Sequence, residues 1–266
     1  MKVLFDGRWI EDKIELSVLD RGLQFGDGLF ETIAIRHGEA KYLKYHFERL
    51  SKGANLLNLS LETEDFENLI ELVLNENQLI DGSLKLMVWR KHTGSKGYNF
   101  DSSESHYMLI PKYQYQTDEI IESAGFAKNV TFSYSILSGI KTMNALPYIL
   151  AANERKHRKL DELIVLNAEG YICECVSSNI FWLKDNVCHT PPLTSGCLDG
   201  VMRRVLIERM VKAGLTIQES LSTQEELLSA EAIFTTNSNG IRFIEKLENN
   251  SFDVAIVKSK LAHLGF

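Results

Sequence analysis

Apolar and polar residues along the chain alternate with two different periods, and this pattern predicts a mixture of strands and helices. In the first part, apolar runs bounded by turn residues predict strands at 3–5, 9–10, 29–35, 84–89 and 106–110. Apolar residues three and four positions apart predict helices through 47–57 and 66–73. Residues 1–112 are therefore predicted to form an α+β domain.

The second part of the chain shows the same mixture with shorter strands. Its predicted strands are 130–137, 162–166, 171–174, 179–183 and 231–236, and its predicted helices are 145–152, 201–212 and 254–264. Residues 113–119 are polar, contain tyrosine and lack apolar periodicity, which is typical of a linker. The pattern thus predicts a two-domain α+β protein, with an N-terminal domain 1–112, a linker 113–119 and a C-terminal domain 120–266.

Composition restricts the possible functions. The 266 residues are 44% hydrophobic, so the chain can bury one large core or two smaller ones. A net charge of −7 argues against nucleic-acid binding but allows a small anionic ligand in a local cationic pocket. The sequence shows no membrane-spanning stretch, no signal peptide and no zinc-type cysteine spacing, and its four cysteines are too few for a disulfide scaffold. We expect a cytoplasmic protein with reduced cysteines and no metal.

Lys141 is the first candidate for chemistry, because it stands between the predicted strand 130–137 and the apolar helical stretch 145–152. A lysine at such a junction can be desolvated enough to lose its proton, form an imine and act as a base. Taken alone, a lysine is more often a solvated surface charge. Together with the later segment 174–181, Lys141 suggests pyridoxal 5′-phosphate (PLP) chemistry.

PLP also needs a carboxylate at its pyridine nitrogen and an anion site for its phosphate. Glu174 suits the first role because it lies in an apolar strand, where a bare carboxylate is costly to bury; an exposed strand face is the alternative. For the phosphate, Gly200 opens a helix whose first N–H groups can bind an anion, and Arg49 can add a cation. Segment 236–240 supplies hydroxyl and amide donors, or forms an ordinary turn.

In their order and spacing, these motifs resemble the class IV aminotransferase family, the PLP enzymes of fold type IV. The motifs are the segment 20–28, Arg49 in Phe-Glu-Arg-Leu, and the segments 140–144, 174–181 and 200–204. The resemblance implies a D-amino-acid aminotransferase-like fold, with the cofactor in the interdomain cleft of a homodimer. It implies Lys141 as the imine lysine and Glu174 as the partner of the pyridine nitrogen. The implied phosphate contacts are Arg49, the amides of Val201 and Met202, and Ser238.

Residues around the implied site separate the activities within this family. Branched-chain aminotransferases have a tyrosine five residues after the lysine, where this chain has Leu146. D-amino-acid aminotransferases share the segment 20–28 but have a tyrosine at the position of Phe30. They bind the substrate carboxylate with an Arg-x-His pair, which Arg90-Lys91-His92 matches superficially.

The 4-amino-4-deoxychorismate lyases resemble the chain in three further places. Phe30-Glu31-Thr32 matches their Phe-x-Thr, segment 94–98 matches Gly-Gly-Arg-Gly-Tyr with Lys96 in place of the arginine, and segment 236–238 matches their strand end. This resemblance implies a lyase that makes 4-aminobenzoate and pyruvate for folate synthesis, with Lys141 as the base and Thr32 assisting proton transfer. The implied contacts to its anionic substrate are Phe30, Arg90, Lys96 and Asn237.

Two alternatives remain open. The chain is also compatible with a class IV aminotransferase that acts on a D-amino acid or another small amino acid. A noncatalytic dimeric binding protein on the same scaffold is the more remote alternative, because a suitable residue stands at every expected cofactor contact.

Overall fold

The structure is a computed structural model that describes residues 1–61, 63–94, 96–113 and 118–264, the side chains of 63 and 64 excepted. The chain folds into two compact units. The first comprises Met1–Gln116 and Ile140–Asn144, and the second comprises Thr117–Gly139 and Ala145–Phe266. Residues 114–117 of the expected linker lie outside the described residues, so the linker and the domain boundaries stay predictions.

The first unit is an antiparallel sheet with two long helices. Its strands are β1 (Val3–Phe5), β2 (Arg8–Ile10), β3 (Gly28–Arg36), β4 (Glu39–Ala40), β5 (Gly82–Arg90) and β6 (Ser105–Lys112). Its helices are α1 (Arg21–Phe25), α2 (Leu43–Leu57) and α3 (Thr63–Asn77). The strand order is β2-β1-β6-β5-β3-β4. Each strand and long helix expected in 1–112 is confirmed, with small differences at the ends.

The two faces of this sheet differ because successive side chains of a strand point to opposite sides. Ile33 of β3 and the apolar residues Leu84, Leu86 and Val88 of β5 are buried in a core shared with α2 and α3. The intervening side chains on the other face are only partly buried: Phe30, Thr32, Lys85 and Met87. Register pairs Phe30 with Met87 and Thr32 with Lys85, so these four side chains are neighbours. We call them the β3–β5 face.

The second unit contains two sheets and four α-helices among its described residues. Its strands are β7 (Ile120–Ile121), β8 (Ala124–Phe132), β9 (Glu162–Asn167), β10 (Ile172–Cys175), β11 (Asn179–Lys184), β12 (Val187–Thr190), β13 (Ile217–Glu219), β14 (Ala232–Asn237), β15 (Gly240–Ile244), β16 (Lys246–Leu247) and β17 (Asn250–Ser251). Its helices are α4 (Leu146–His157), α5 (Val201–Lys212), α6 (Gln224–Leu228) and α7 (Val254–Leu261). The sheets have the orders β10-β9-β8-β16-β17 and β13-β12-β11-β14-β15-β7.

The sheets of the second unit pack face to face, with helices outside. Ile164 and Ile172 of the first sheet share a core with Ile180 and Ile233 of the second. Helix α4 covers the outer side of the five-stranded sheet, and α5 and α7 cover the six-stranded one. In the part of the chain that the structure describes, no helix is long and apolar enough to cross a membrane.

One predicted strand is wrong over most of its length. The run 130–137 was expected to be extended, but β8 ends at Phe132 and a turn follows. Serine side chains explain the break: Ser135 N–H donates to Ser138 Oγ at 2.9 Å, and that hydroxyl donates to the Ser133 carbonyl at 3.3 Å. Local bonds of this kind replace the bonds of a sheet.

Candidate active site

Lys141 is fixed by backbone pairing with the start of β3. The Phe30 N–H donates to the Lys141 carbonyl at 2.9 Å, and the Met143 N–H donates to the Gly28 carbonyl at 2.8 Å. A Cβ at Gly28 would stand 2.5 Å from Trp89 Cβ and 2.8 Å from Met143 Sδ, so only glycine allows this approach. These bonds group the Lys141 segment with the first unit, whereas the sequence placed it in the second domain.

The Lys141 ammonium lies against an aromatic ring of the β3–β5 face. Its Nζ is 4.7 Å from the centroid of the Phe30 ring, and the lysine is partly buried. Such a position over a ring stabilises a cation while removing part of its water. The expected substrate contact Phe30 therefore lies beside the lysine that the sequence predicts to be catalytic.

A second lysine, which the sequence patterns did not single out, lies against the same ring. Lys85 Nζ is 4.6 Å from the Phe30 centroid, and burial lowers the pKa of Lys85. No carboxylate of the described residues lies within 4 Å of this ammonium. Thr32, the expected proton-transfer residue, faces Lys85 across the strand pair. The sequence could have identified Lys85 as a candidate, because it is the single lysine in the otherwise apolar strand 84–88.

Arg49, expected at the phosphate, belongs to a buried ionic cluster on the opposite side of β3. Its Nε and Nη2 donate to the two carboxylate oxygens of Glu31 at 2.8 and 2.5 Å, and His46 Nδ1 lies 2.6 Å from Glu31 Oε2. Burial by itself would raise the pKa of Glu31, but Arg49 and His46 lower it to about 2. The ionised Glu31 thus orients the Arg49 guanidinium.

Arg90, expected at the substrate, is instead part of the protein interior. Its Nε donates to Asp27 Oδ2 at 2.9 Å, and its other nitrogens donate to the carbonyls of Leu57, Asn58 and Ser102. The residue is 2% exposed. These bonds hold the chain between helix α2 and the segment after β5, and they leave Arg90 badly placed for a substrate.

The segment that contains Lys96 lies at the surface. Arg21, whose Nε bonds to Asp27 at 2.8 Å, donates to the carbonyls of Gly97 and Asn99 at 3.2 and 2.9 Å. Lys96 itself is exposed. The expected cation is therefore carried by an anchored surface segment, and its contact with a substrate stays a prediction.

In the second unit, Glu174 is a buried carboxylate with several donors. It is 3% exposed, which excludes the exposed-strand alternative. The Tyr148 hydroxyl donates to Oε1 at 2.7 Å, while Asn179 Nδ2 and the Leu198 N–H donate to Oε2 at 3.3 and 3.2 Å. Donors of this kind favour the ionised form of a carboxylate.

The start of α5 has the features of an anion site. Gly200 precedes the helix, and no described group accepts a hydrogen bond from the Val201 or Met202 N–H. A Cβ at Gly200 would stand 1.8 Å from Asn179 Oδ1, so a side chain here would displace the residue that holds Glu174.

The remaining candidates, Asn237 and Ser238, lie in the turn after β14. Asn237 is engaged in the turn: its Oδ1 accepts from the Asn239 N–H at 2.9 Å and its Nδ2 donates to the Ser177 carbonyl at 3.3 Å. Ser238 is partly buried in this turn. The preceding Thr236 hydroxyl is buried without a hydrogen-bond partner among the described residues. Such an atom calls for a ligand or a water.

Comparison with known proteins shows the family. The model for amino-transferase class IV matches residues 28–247. The D-alanine aminotransferase of Bacillus licheniformis is 29% identical over 242 residues, 90% of this chain and 85% of that protein. The 4-amino-4-deoxychorismate lyase structure from Pseudomonas aeruginosa is 29% identical, with a TM-score of 0.88 over 98% of this chain and 97% of that one. The branched-chain aminotransferase structure from Thermoproteus uzoniensis, with norvaline, is 25% identical, with a TM-score of 0.90 over 99% and 92%.

The fold and these matches define a PLP-dependent enzyme of fold type IV that acts on small molecules. The chain belongs to the class IV aminotransferase family. Residue types in each unit, taken separately, suit this cofactor. The first unit has a lysine over an aromatic ring. Among its described residues, the second has a buried carboxylate, helix N–H groups without an acceptor and a buried hydroxyl without a hydrogen-bond partner. The identities to relatives of different activity are similar, so they leave the reaction open.

Proposed function

We propose that the chain is a 4-amino-4-deoxychorismate lyase, which releases 4-aminobenzoate and pyruvate. The observation that carries this proposal is the chemistry of the β3–β5 face next to Lys141. It combines the aromatic ring of Phe30, the hydroxyl of Thr32 and the ammonium of Lys85, which has no carboxylate partner among the described residues. A cyclohexadiene substrate with two carboxylates and a leaving oxygen can use each of these groups.

We propose Lys85 as a cationic contact for the substrate, a role that the sequence analysis assigned to Arg90 and Lys96. Aminodeoxychorismate is a dicarboxylate and needs a donor set for its charges. Arg90 and Asn237 are engaged in the protein's own hydrogen bonds, which weakens their candidacy. We therefore propose Lys85 for one carboxylate, keep the exposed Lys96 as the contact for the other, and propose that Phe30 packs against the ring.

We propose the following cofactor contacts. Lys141 would hold PLP covalently through its side-chain amine, and the Glu174 carboxylate would keep the pyridine nitrogen protonated. The phosphate is bound by Arg49, by the amides of Val201 and Met202, and by Ser238, as the family resemblance implies. The ionic cluster with Glu31 supports the role of Arg49, because a fixed guanidinium loses less entropy on binding.

The chain's own groups then move the protons of the reaction. Bound PLP supplies a sink for the electron pair that leaves a carbon–hydrogen bond. The free side-chain amine of Lys141 would remove the proton from the ring carbon that bears the substrate amine. Thr32 delivers a proton as the enolpyruvyl group departs, and the ring becomes aromatic. The Tyr148 hydroxyl and the N–H groups of Asn179 and Leu198 hold the Glu174 carboxylate in place and take the role of water around it.

Product analysis tests this proposal. Purified holoenzyme is incubated with aminodeoxychorismate in the absence of any keto acid, and 4-aminobenzoate and pyruvate are measured by chromatography. We expect both products in equal amounts, and none with K141A. A protein that makes neither product, yet exchanges the amino group of D-alanine with a keto acid, contradicts the lyase.

An aminotransferase that acts on a D-amino acid or another small amino acid is the second candidate. The likeness to a D-alanine aminotransferase at 29% identity favours it. Its Arg-x-His resemblance is weakened, because Arg90 is buried and bonded to Asp27. Conversion of the bound cofactor to its amine form by D-alanine alone distinguishes this activity, since the lyase reaction leaves the cofactor unchanged.

We also propose that the enzyme is a cytoplasmic homodimer that serves folate biosynthesis. Exposed apolar side chains in the second unit support an interface: Tyr134, Ile136, Leu146, Ile149 and Leu150. All four cysteines are buried and free, which is compatible with a reducing compartment. Light scattering of the purified protein measures its mass, and a monomer at micromolar concentration contradicts the dimer.

A further inference from the structure

Tyr148 contacts the proposed partner of the cofactor nitrogen without belonging to any motif of the sequence. It lies in the first turn of α4, and its ring packs on Phe132 with centroids 4.7 Å apart. Its hydroxyl donates to Glu174 Oε1 at 2.7 Å. Helix α4 thus reaches across to a carboxylate that β10 carries.

This hydrogen bond is the shortest of the three that reach Glu174 from Tyr148, Asn179 and Leu198. The other two go to Oε2, at 3.3 and 3.2 Å. Contacts at both oxygens, made from separate elements, restrict the plane of the carboxylate, and the Tyr148 hydroxyl makes the contact at Oε1. A charge-assisted O–H···O bond is also roughly twice as strong as a neutral one.

Burial keeps the thiols and the phenol around Glu174 protonated. Burial raises the pKa of the Cys173 and Cys175 thiols and raises that of Cys197 to about 12, and it also raises the pKa of Tyr148. These groups are therefore neutral at physiological pH, and the Tyr148 proton stays on its oxygen as a donor. The hydroxyl is thus a permanent donor to Glu174.

We propose that Tyr148 is a positioning residue of the cofactor site, whose hydroxyl holds the Glu174 carboxylate in the orientation that receives the pyridine nitrogen of PLP. The inference rests on the proposed role of Glu174. It is independent of whether the reaction is elimination or amino transfer, since both need a protonated pyridine nitrogen. Tyr148 acts through Glu174 and needs no contact with the substrate.

The variant Y148F tests the proposal, because it keeps the ring that packs on Phe132 and removes only the hydroxyl. PLP affinity is measured by absorbance titration of the apoprotein, together with the position of the absorption band of the bound cofactor. We expect about a tenfold loss of affinity, as for one hydrogen bond to a charged group, and a shifted band. Y171F is the matched control, since Tyr171 precedes β10 and its hydroxyl makes no bond to a described residue.

A double-mutant cycle separates positioning from simple packing. In an E174Q background, where Lys141 still forms the imine, removing the Tyr148 hydroxyl should change PLP affinity less than about twofold. Equal losses in the two backgrounds, or an unchanged affinity and band in Y148F, would overturn the proposal. Because the experiment measures cofactor binding, its result does not depend on whether the protein releases 4-aminobenzoate.

Discussion

Replacing Glu31 by glutamine tests whether a buried carboxylate holds Arg49 in place. Glu31 accepts hydrogen bonds from Arg49 Nε and Nη2, and His46 lies 2.6 Å from its Oε2. All three side chains are buried. Glutamine keeps the size of the side chain but removes the negative charge that Glu31 places beside the guanidinium. We expect E31Q to destabilise the protein and to weaken PLP binding, because Arg49 loses its orientation.

The pKa of Glu31 gives the magnitude. Burial opposes ionisation, but Arg49 and His46 outweigh it and lower the pKa from 4.5 to about 2. A shift of this size corresponds to roughly 3 kcal/mol of the free energy of unfolding, similar to the ~3–5 kcal/mol lost when one partner of a buried ion pair is removed. Because the folded-state pKa is the lower one, this stability is present above pH 4.5 and is lost as the pH falls towards 2.

Urea unfolding of the apoproteins, followed by circular dichroism, measures the effect. At neutral pH, E31Q should lose roughly 3 kcal/mol relative to the parent, and the difference should shrink as the pH falls below 4.5. The control is E39Q, which removes an exposed carboxylate paired with Lys41 and should leave the unfolding midpoint unchanged. Equal midpoints for E31Q and E39Q, or a difference independent of pH, would refute the reasoning.

Three further substitutions follow from the site. K85M should raise the KM for aminodeoxychorismate at least about tenfold in steady-state kinetics, with little change in PLP affinity. The control K112M, at an exposed lysine that ends β6, should leave the KM unchanged. T32V should lower kcat by about 10²-fold or more without raising KM; a changed KM alone would mean that Thr32 only binds substrate. G200V should abolish PLP binding in an absorbance titration, because a Cβ there meets Asn179 Oδ1 at 1.8 Å and displaces the residue that holds Glu174. Unchanged affinity would contradict the placement of the cofactor beside Glu174 and the start of α5.

The sequence predicts the long elements because each buries a regular set of apolar residues. Strand β3 and helices α2 and α5 appear where their periodicity indicated. Strands such as β7 and β16 have two residues each and no period, since they form by pairing with distant partners. The prediction of a strand over 130–137 was wrong beyond Phe132, because serine side chains there form hydrogen bonds with the backbone.

For the candidate site, the sequence indicates which residues to consider but does not reveal their hydrogen-bond partners. Lys141 and Glu174 stand in unusual local surroundings, so their sequence context marks them. Arg90 does not: its bonds to Asp27 and Ser102 join residues from separate segments, and these bonds exist only once β5 has paired. The Tyr148 contact with Glu174 likewise depends on the packing of α4 against the sheet. Local sequence patterns cannot reveal such pairs, because the two residues are far apart along the chain.

The choice between elimination and amino transfer depends on what meets the substrate once Lys141 has removed a proton. In the proposed assignment both reactions use the same lysine and the same carboxylate, so neither Lys141 nor Glu174 discriminates between them. The Thr32 hydroxyl can protonate a leaving oxygen, and the Lys85 ammonium can bind a second carboxylate. A small monocarboxylic amino acid such as D-alanine offers neither group. Burying Lys85 without a counter-ion among the described residues has a desolvation cost that an anionic ligand offsets, and this cost explains why the β3–β5 face would select a dicarboxylate.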